Sequence, residues 1–345
     1  MKGRVIAVEA RPDGAGQMAA LMEDGQLTDL LIDPPDDIAL VPGQLWRGTA
    51  ERPMKGQGGV FVALGGQRGY LRELRNITPG APMLVQVSTY PEAGKAAPVT
   101  RRVALRSRYV VVTPGAEGVN ASRAIKDPEE QDRLTAAVTD LVPEGVGLVV
   151  RTAARDLEAE ELRADAAEVL GTATALLNDP STAQELLLDA PGAAERAWQD
   201  WPEPDVYDDE TGSFERHNVW DALDAVRGAR VELETGGSFF VEATRALVAV
   251  DVNTGADSSQ AATLKANIAA LQALPRALRL RGLGGQIVVD IAGFSKKDRP
   301  KLEAVAKAAF KADSVETQFV GWTPLGHMEL TRKRERLPLS EARLP

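Results

Sequence analysis

Between Ala246 and Ile291 two short apolar runs each end in an aspartate. Ala246-Leu247-Val248-Ala249-Val250 stops at Asp251, and Gln286-Ile287-Val288-Val289 stops at Asp290, with a helical stretch between them. Short Val/Ile-rich runs read as buried strands. Strand, crossover helix and strand make a βαβ unit whose two strands run parallel in one sheet. Both strands then finish at one edge, so the two carboxylates can converge where ligands gather on an open α/β sheet.

Two convergent carboxylates suit a hard cation. Magnesium takes oxygen ligands and is typically held by one or two carboxylates together with substrate phosphates. Asn253, two residues past Asp251, points to the same side if the strand continues, where it can orient a carboxylate or bond a phosphate oxygen. The plainer alternative is that Asp251-Val252-Asn253-Thr254-Gly255 only turns the chain out of a strand. The motif alone leaves both open.

Composition narrows the chemistry. With 345 residues, two or three domains are expected. Cysteine is absent, which excludes disulfides, thiol catalysis and thiolate zinc sites. The two histidines, His217 and His327, do not make a histidine-rich metal site. No apolar run has the length of a membrane span. The start, Met1-Lys2-Gly3-Arg4, leads into a strand pattern and not a signal peptide, so a cytoplasmic location is expected.

The formal charge of −10 hides an asymmetry. Residues 95–126 carry a net +6, residues 127–215 a net −18, and residues 276–336 again +6. Local fields steer ligands more than totals do. Basic blocks flanking an acidic one fit a nucleic-acid groove, and solvated surface charge is the alternative for any one block.

In order along the chain, Arg4 to Glu9 and Met18 to Met22 read as a hairpin, Leu27 to Ile32 as a third strand, and Pro34-Pro35-Asp36-Asp37 as a boundary. Residues 38 to about 107 look like a small β barrel with strands near 41–48, 58–65, 69–71 and 83–88. The stretch GGVFVALGGQRGYL is similar to the middle of S1-type OB domains. In such barrels exposed aromatics stack on unpaired bases. Phe61 and Tyr70 are the candidates, although Phe61 in an apolar run also reads as core. Lys95, Arg101 and Arg102 can meet phosphates. A strand over 108–114, a helix over 127–141 begun by Asp127-Pro128, and a strand over 147–150 follow. Arg151-Thr152 at that strand end can bind a phosphate. Helices are expected over 157–177 and 192–201, then a polar linker from Trp201 to Gly212. A helix over 217–226, a hairpin over 230–242, the βαβ unit, a basic helix over 298–312 and strands over 317–320 and 327–331 complete the chain.

VEATRALVAVDVNTG, LKANI, LRLRGLGGQIVVDI and GHMELTRKR resemble, in order, the signature segments of the ribonuclease E/G endoribonucleases. The resemblance covers nearly the whole chain and implies a mixed α/β, multidomain α+β fold. Residues 1–37 would begin an RNase H-like region, 38–107 form an inserted S1-type OB barrel, and 108–180 a 5′-sensor region. Residues 181–212 would complete the RNase H-like region and link it to a DNase I-like catalytic domain over 213–345. Carried over by resemblance, Asp251 and Asp290 hold Mg²⁺, with Mn²⁺ as an alternative ion, and Asn253 supports them. Phe61, Tyr70 and Lys95 contact single-stranded RNA, while Arg151 and Thr152 grip a 5′-monophosphate.

Several positions depart from the family pattern. Gly293 stands where an acid is usual after the second aspartate, Glu316 where a second sensor arginine would fall, and Arg245 where an acid usually precedes the DVNTG block. The cysteine pair of the family's zinc link and the small C-terminal domain are missing. No zinc is therefore expected, and a monomer or a different dimer replaces the family's assembly. The activity implied is magnesium-dependent cleavage of single-stranded RNA, with in-line attack by water leaving a 5′-phosphate and a 3′-hydroxyl. The departures leave a non-catalytic RNA-binding factor as the alternative. No membrane partner is expected.

Overall fold

The computed structural model describes residues 2–53, 56, 58–72, 77–92 and 94–344. The chain divides into two compact units, one made of residues 1–38 with 204–345, the other of residues 39–203. The architecture is mixed α/β with one small closed barrel.

In the first unit a four-stranded sheet runs in the order Val206–Asp208, Arg4–Ala10, Gln17–Glu23, Gln26–Ile32. Asp24 and Gly25, both at positive φ, make the two-residue turn between the last two strands. That turn has the twist a tight antiparallel hairpin needs. Val206–Asp208 corrects the expected polar linker over 201–212: it pairs in parallel with Arg4–Ala10, Val5 opposite Val206. A three-residue edge strand held by backbone hydrogen bonds has no apolar alternation to show. Its last residue is fixed instead by polar contacts, Asp208 accepting from Arg216 (2.7 Å) and lying 2.9 Å from His217 Nε2.

The second sheet of this unit has six strands in the order Arg230–Glu232, Ser238–Ala243, Val248–Asn253, Gly285–Asp290, Met328–Arg332, Thr317–Trp322. Only Val248–Asn253 and Gly285–Asp290 run parallel. Parallel neighbours need a long crossover, and the helix Gln260–Leu280 supplies it, capped by Ser259 Oγ accepting from the Ala262 amide. Alternation divides the sheet into two faces. Phe239, Val241, Val248, Val250, Val252, Ile287, Val289, Met328 and Leu330 are buried against the helices. Asp251, Asn253 and Asp290, in the alternate positions, are exposed. Burying such side chains contributes roughly 1.5–3 kcal/mol each, so the core fixes which face the polar residues take.

Ion pairs tie the elements of this unit together. Asp29 on the Gln26–Ile32 strand accepts from both Nη atoms of Arg336 and lies 3.4 Å from Arg279 Nε. Arg279 also pairs with Asp313, which in turn lies 2.6 Å from Arg332. The carboxyls of Asp29 and Asp313 are almost wholly buried.

The second unit begins with the barrel. Leu45–Ala50, Val60–Leu64, Gln67–Leu71, Ala97–Thr100 and Pro82–Val87 pair in that order, and Pro82–Val87 closes back on Leu45–Ala50. The fifth strand, Ala97–Thr100, was not expected. It pairs in parallel with Gln67–Leu71 and antiparallel with Pro82–Val87, burying Ala97 and Val99. A strand with only two inward residues beside a basic run leaves little trace in hydropathy. Glu185–Leu188, also unexpected, adds to Leu45–Ala50 on the outside of the barrel sheet. Beyond it, a four-stranded sheet (Val119–Ala121, Val146–Val150, Val110–Pro114, Leu105–Arg106) packs with the helices Pro128–Val138 and Ala159–Asn178 around a shared core. Asp127 caps the first helix by accepting from the Glu129 amide, with Pro128 at its first position as expected.

Burial pushes the Asp29 carboxyl up, and the Arg336 and Arg279 guanidiniums outweigh it, so its pKa is held below the ordinary value. Its contribution to stability is therefore present above the unfolded-state value of about 3.9 and lost as pH falls through the lower folded value. Asp29→Asn, which takes the carboxylate from the largely buried Arg336 and one of two carboxylates from Arg279, is expected to lower the unfolding free energy in urea by about 3–5 kcal/mol at neutral pH. The difference from the parent chain should begin to shrink below pH ~4, where Asp29 of the unfolded chain takes up a proton, and be lost only once the pH passes the lower folded value.

Candidate active site

The parallel register sets Val250 opposite Val289 and Asp251 opposite Asp290, so the two carboxylates stand on neighbouring strand ends and on one face. Asn253 Nδ2 donates to Asp251 Oδ2 at 2.8 Å. This is the orienting contact expected from a spacing of two on a strand, and it leaves the second carboxylate oxygen for a ligand. Asp290 is 64 % exposed at its side chain, and its Oδ1 lies 3.7 Å from His327 Nε2. The Met328–Arg332 strand pairs Met328 with Val289, which brings His327 up beside Asp290. In the sequence His327 is marked by little more than its place at the start of a late strand. The register that places it comes from a pairing between segments far apart in sequence.

The loop after Asn253 is shaped by glycine. A Cβ on Gly255 would lie 1.7 Å from the carbonyl oxygen of Gly236, in the turn of the Arg230–Glu232/Ser238–Ala243 hairpin. Gly236 itself has φ +89°. The glycine of DVNTG is thus explained by backbone passing over backbone. At Gly293, where an acid was expected, there is open space. Among the described residues no group of three or more His, Asp or Glu side chains forms a metal cage. The polar donors at the strand ends are Asp251, Asp290 and their neighbours Asn253 and His327.

The other predicted residues are dispersed. In the barrel, Val60, Val62 and Leu64 are buried and Phe61 alternates with them, so Phe61 lies on the outer face and not in the core. It is opposite Tyr70, the rings edge to face with centroids 5.4 Å apart. The Arg68 guanidinium lies 4.1 Å from the Phe61 ring and is also held by Glu51. Lys95 is exposed and paired with Glu92. Arg151 has its guanidinium committed to protein acceptors: Ser107 O at 2.7 Å, Gln199 O at 3.0 Å and Asp200 Oδ1 at 2.8 Å. Thr152 Oγ1 donates to Ser122 Oγ at 3.2 Å. Glu316 is paired with Lys333 at 2.7 Å. At and just before the basic helix, Lys296, Lys297 and Lys301 are exposed, and Arg299 lies over the Trp322 ring at 4.9 Å.

The sequence profile described as the Ribonuclease E/G family matches residues 104–208 and 202–335, a range that takes in both aspartates. The chain belongs to the ribonuclease E/G family. It is 27% identical to Ribonuclease G of Salmonella typhimurium (strain SL1344) and to Ribonuclease G of Escherichia coli (strain K12). Each alignment covers 92% of this chain and 77% of the relative. It is 30% identical to Ribonuclease E of Nostoc sp. (strain PCC 7120 / SAG 25.82 / UTEX 2576), over 92% of this chain and 54% of that protein. The resemblance read from the DVNTG, GGQIVVDI and GHMELTRKR segments is thereby borne out. The matched ribonuclease E/G segments also contain Arg151, Thr152 and His327.

Gly255→Ala tests the local account. A methyl group there has to part the 235–237 turn from the loop carrying Asn253, and overpacking of this kind costs about 1–3 kcal/mol. The expected outcome is a lowered thermal midpoint. An unchanged midpoint would show that the two loops move apart freely.

Proposed function

We propose that the chain is a divalent-metal-dependent endoribonuclease acting on single-stranded RNA. The observation that carries this reading is the pairing of Asp251 with Asp290 on an exposed face, with Asn253 bonded to the first, in a chain of the ribonuclease E/G family. Two carboxylates open to solvent are a donor set of hard oxygens, which fits Mg²⁺, or Mn²⁺ in its place, completed by water and a substrate phosphate. When bound, the ion supplies Lewis-acid stabilisation of the charge building on the phosphodiester and makes an attacking water available at neutral pH.

The residues of the chain do the rest. Asp251 and Asp290 hold the ion, and Asn253 holds Asp251 in one orientation. Water adds to phosphorus in line, and the bond from phosphorus to the 3′-oxygen breaks. That oxygen takes a proton to become a 3′-hydroxyl, leaving a 5′-phosphate on the other fragment. In this reading residues 213–345 form a DNase I-like catalytic domain, and residues 1–37 with 181–212 an RNase H-like region. Residues 38–107 act as an S1-type RNA-binding barrel and 108–180 as a 5′-sensor region. Phe61 and Tyr70, side by side on the outer face of the barrel, would stack unpaired bases, with Lys95 meeting the backbone. For a 5′-phosphate to reach Arg151 it has to displace Asp200. Among the described residues no helix is long and apolar enough to cross a membrane.

Asp251→Asn and Asp290→Asn are each expected to abolish magnesium-dependent cleavage of a 5′-labelled A/U-rich single strand while leaving its gel shift intact. Cleavage at the parental rate in either purified variant would falsify the assignment, and a shift without any product from the parent chain would make it a binding factor. Asn253→Ala, which removes the partner that orients Asp251, should cost roughly 10–100-fold in magnesium affinity or activity. Phe61→Ala should weaken RNA binding by about 1–3 kcal/mol in a fluorescence titration. An unaltered titration would remove Phe61 from the RNA-contacting set.

A further inference from the structure

The catalytic row of the sheet extends past the two aspartates. On the Ser238–Ala243 strand, Phe240 is opposite Asp251, as Asp251 is opposite Asp290. Arg230 stands opposite Phe240 on the other side. Read across four strands, the row is Arg230, Phe240, Asp251, Asp290, with His327 beside Asp290. Phe239, the preceding residue, is fully buried in the core, whereas Phe240 points to the opposite face and is only half-buried. It is not among the residues that form or pack against that core. On its own face Asp251, Asn253, Glu242 and Arg230 are polar and exposed, and Ser238 is polar and buried. A large, partly buried aromatic ring beside exposed charged groups is not accounted for by that core.

We propose that Phe240 is the stacking platform for the base next to the scissile phosphodiester. The proposal rests on the nuclease reading above. Side chains directly opposite on antiparallel strands have Cβ atoms about 5 Å apart. A phosphodiester held at Asp251 and Asp290 therefore brings an attached base over the Phe240 ring. Arg230, paired with Glu232 on its own strand at 2.7 Å, is next in line for the following phosphate. Stacking accepts every base but requires an unpaired face. The catalytic sheet thus tests for single-strandedness at the bond to be cut, apart from any selection by the barrel.

The test compares the full chain with Phe240→Ala and Phe240→Trp. Stopped-flow anisotropy of a short fluorescent A/U-rich RNA in Mg²⁺ reads affinity before turnover, and steady-state cleavage reads KM and kcat. Phe240→Ala is expected to weaken binding about tenfold and to raise KM more than it lowers kcat. Phe240→Trp should stay near the parent, and both variants should keep the parental thermal midpoint. Equal affinity for the parent and Phe240→Ala overturns the proposal, as does a Phe240→Trp variant that fails like Phe240→Ala. An altered elution volume for Phe240→Ala with unchanged RNA affinity would instead assign the ring to a contact between copies of the chain, and also overturns it. If Asp251→Asn abolishes cleavage while Phe240→Ala binds normally, only the stacking role is lost. If the parent chain yields no magnesium-dependent product, the nuclease reading falls and the stacking role with it.

Discussion

The site depends on one parallel pairing. Val248–Asn253 and Gly285–Asp290 are joined by a 21-residue helix, and their register puts Asp251 beside Asp290. A slip of one residue would turn one carboxylate into the core and one valine out to water. Burial of Val250 and Val252 on one strand and Ile287 and Val289 on the other opposes that slip on both sides at once. The apolar face therefore places the polar one. The two acids themselves contribute nothing to the register, and side by side they repel until something positive lies between them.

The same division of faces organises the rest of the sheet. Phe239 and Phe240 are neighbours in sequence with opposite surroundings, one fully buried and one looking out over the acids. His327 and Met328 repeat the arrangement beside Asp290. Behind the sheet, the pairs of Asp29 and Asp313 with Arg279, Arg332 and Arg336 join the first three strands, the crossover helix and the C-terminal segment. Buried ion pairs of this kind add little net stability but penalise any arrangement that separates them.

Much of this was legible in the residues. Apolar runs ending in Asp, Pro128 after Asp127, and the glycine corners of the barrel are local signals, and each led to the right kind of element. Several short strands leave no such signal, and the three that follow share a physical reason. Ala97–Thr100, Glu185–Leu188 and Val206–Asp208 are short, lie beside charged or polar residues, and exist because a distant strand offers its open edge. For Phe61, hydropathy could not separate core from surface, since it is flanked by valines. The alternation of a closed barrel turned it outward, against Tyr70.

By itself the sequence determined the family, the two acids with their asparagine, and the glycine that follows them, because these rest on covalent spacing and on local backbone chemistry. Only the tertiary structure decided that Phe240 and His327 flank the acids and that Arg151 is already engaged by Asp200. The Arg151 pair depends on the Ala193–Asp200 helix ending beside it, and the first two on which strands become neighbours and in what register, a choice made by burial of apolar area summed over the whole sheet. No stretch of chain shorter than that sheet contains it.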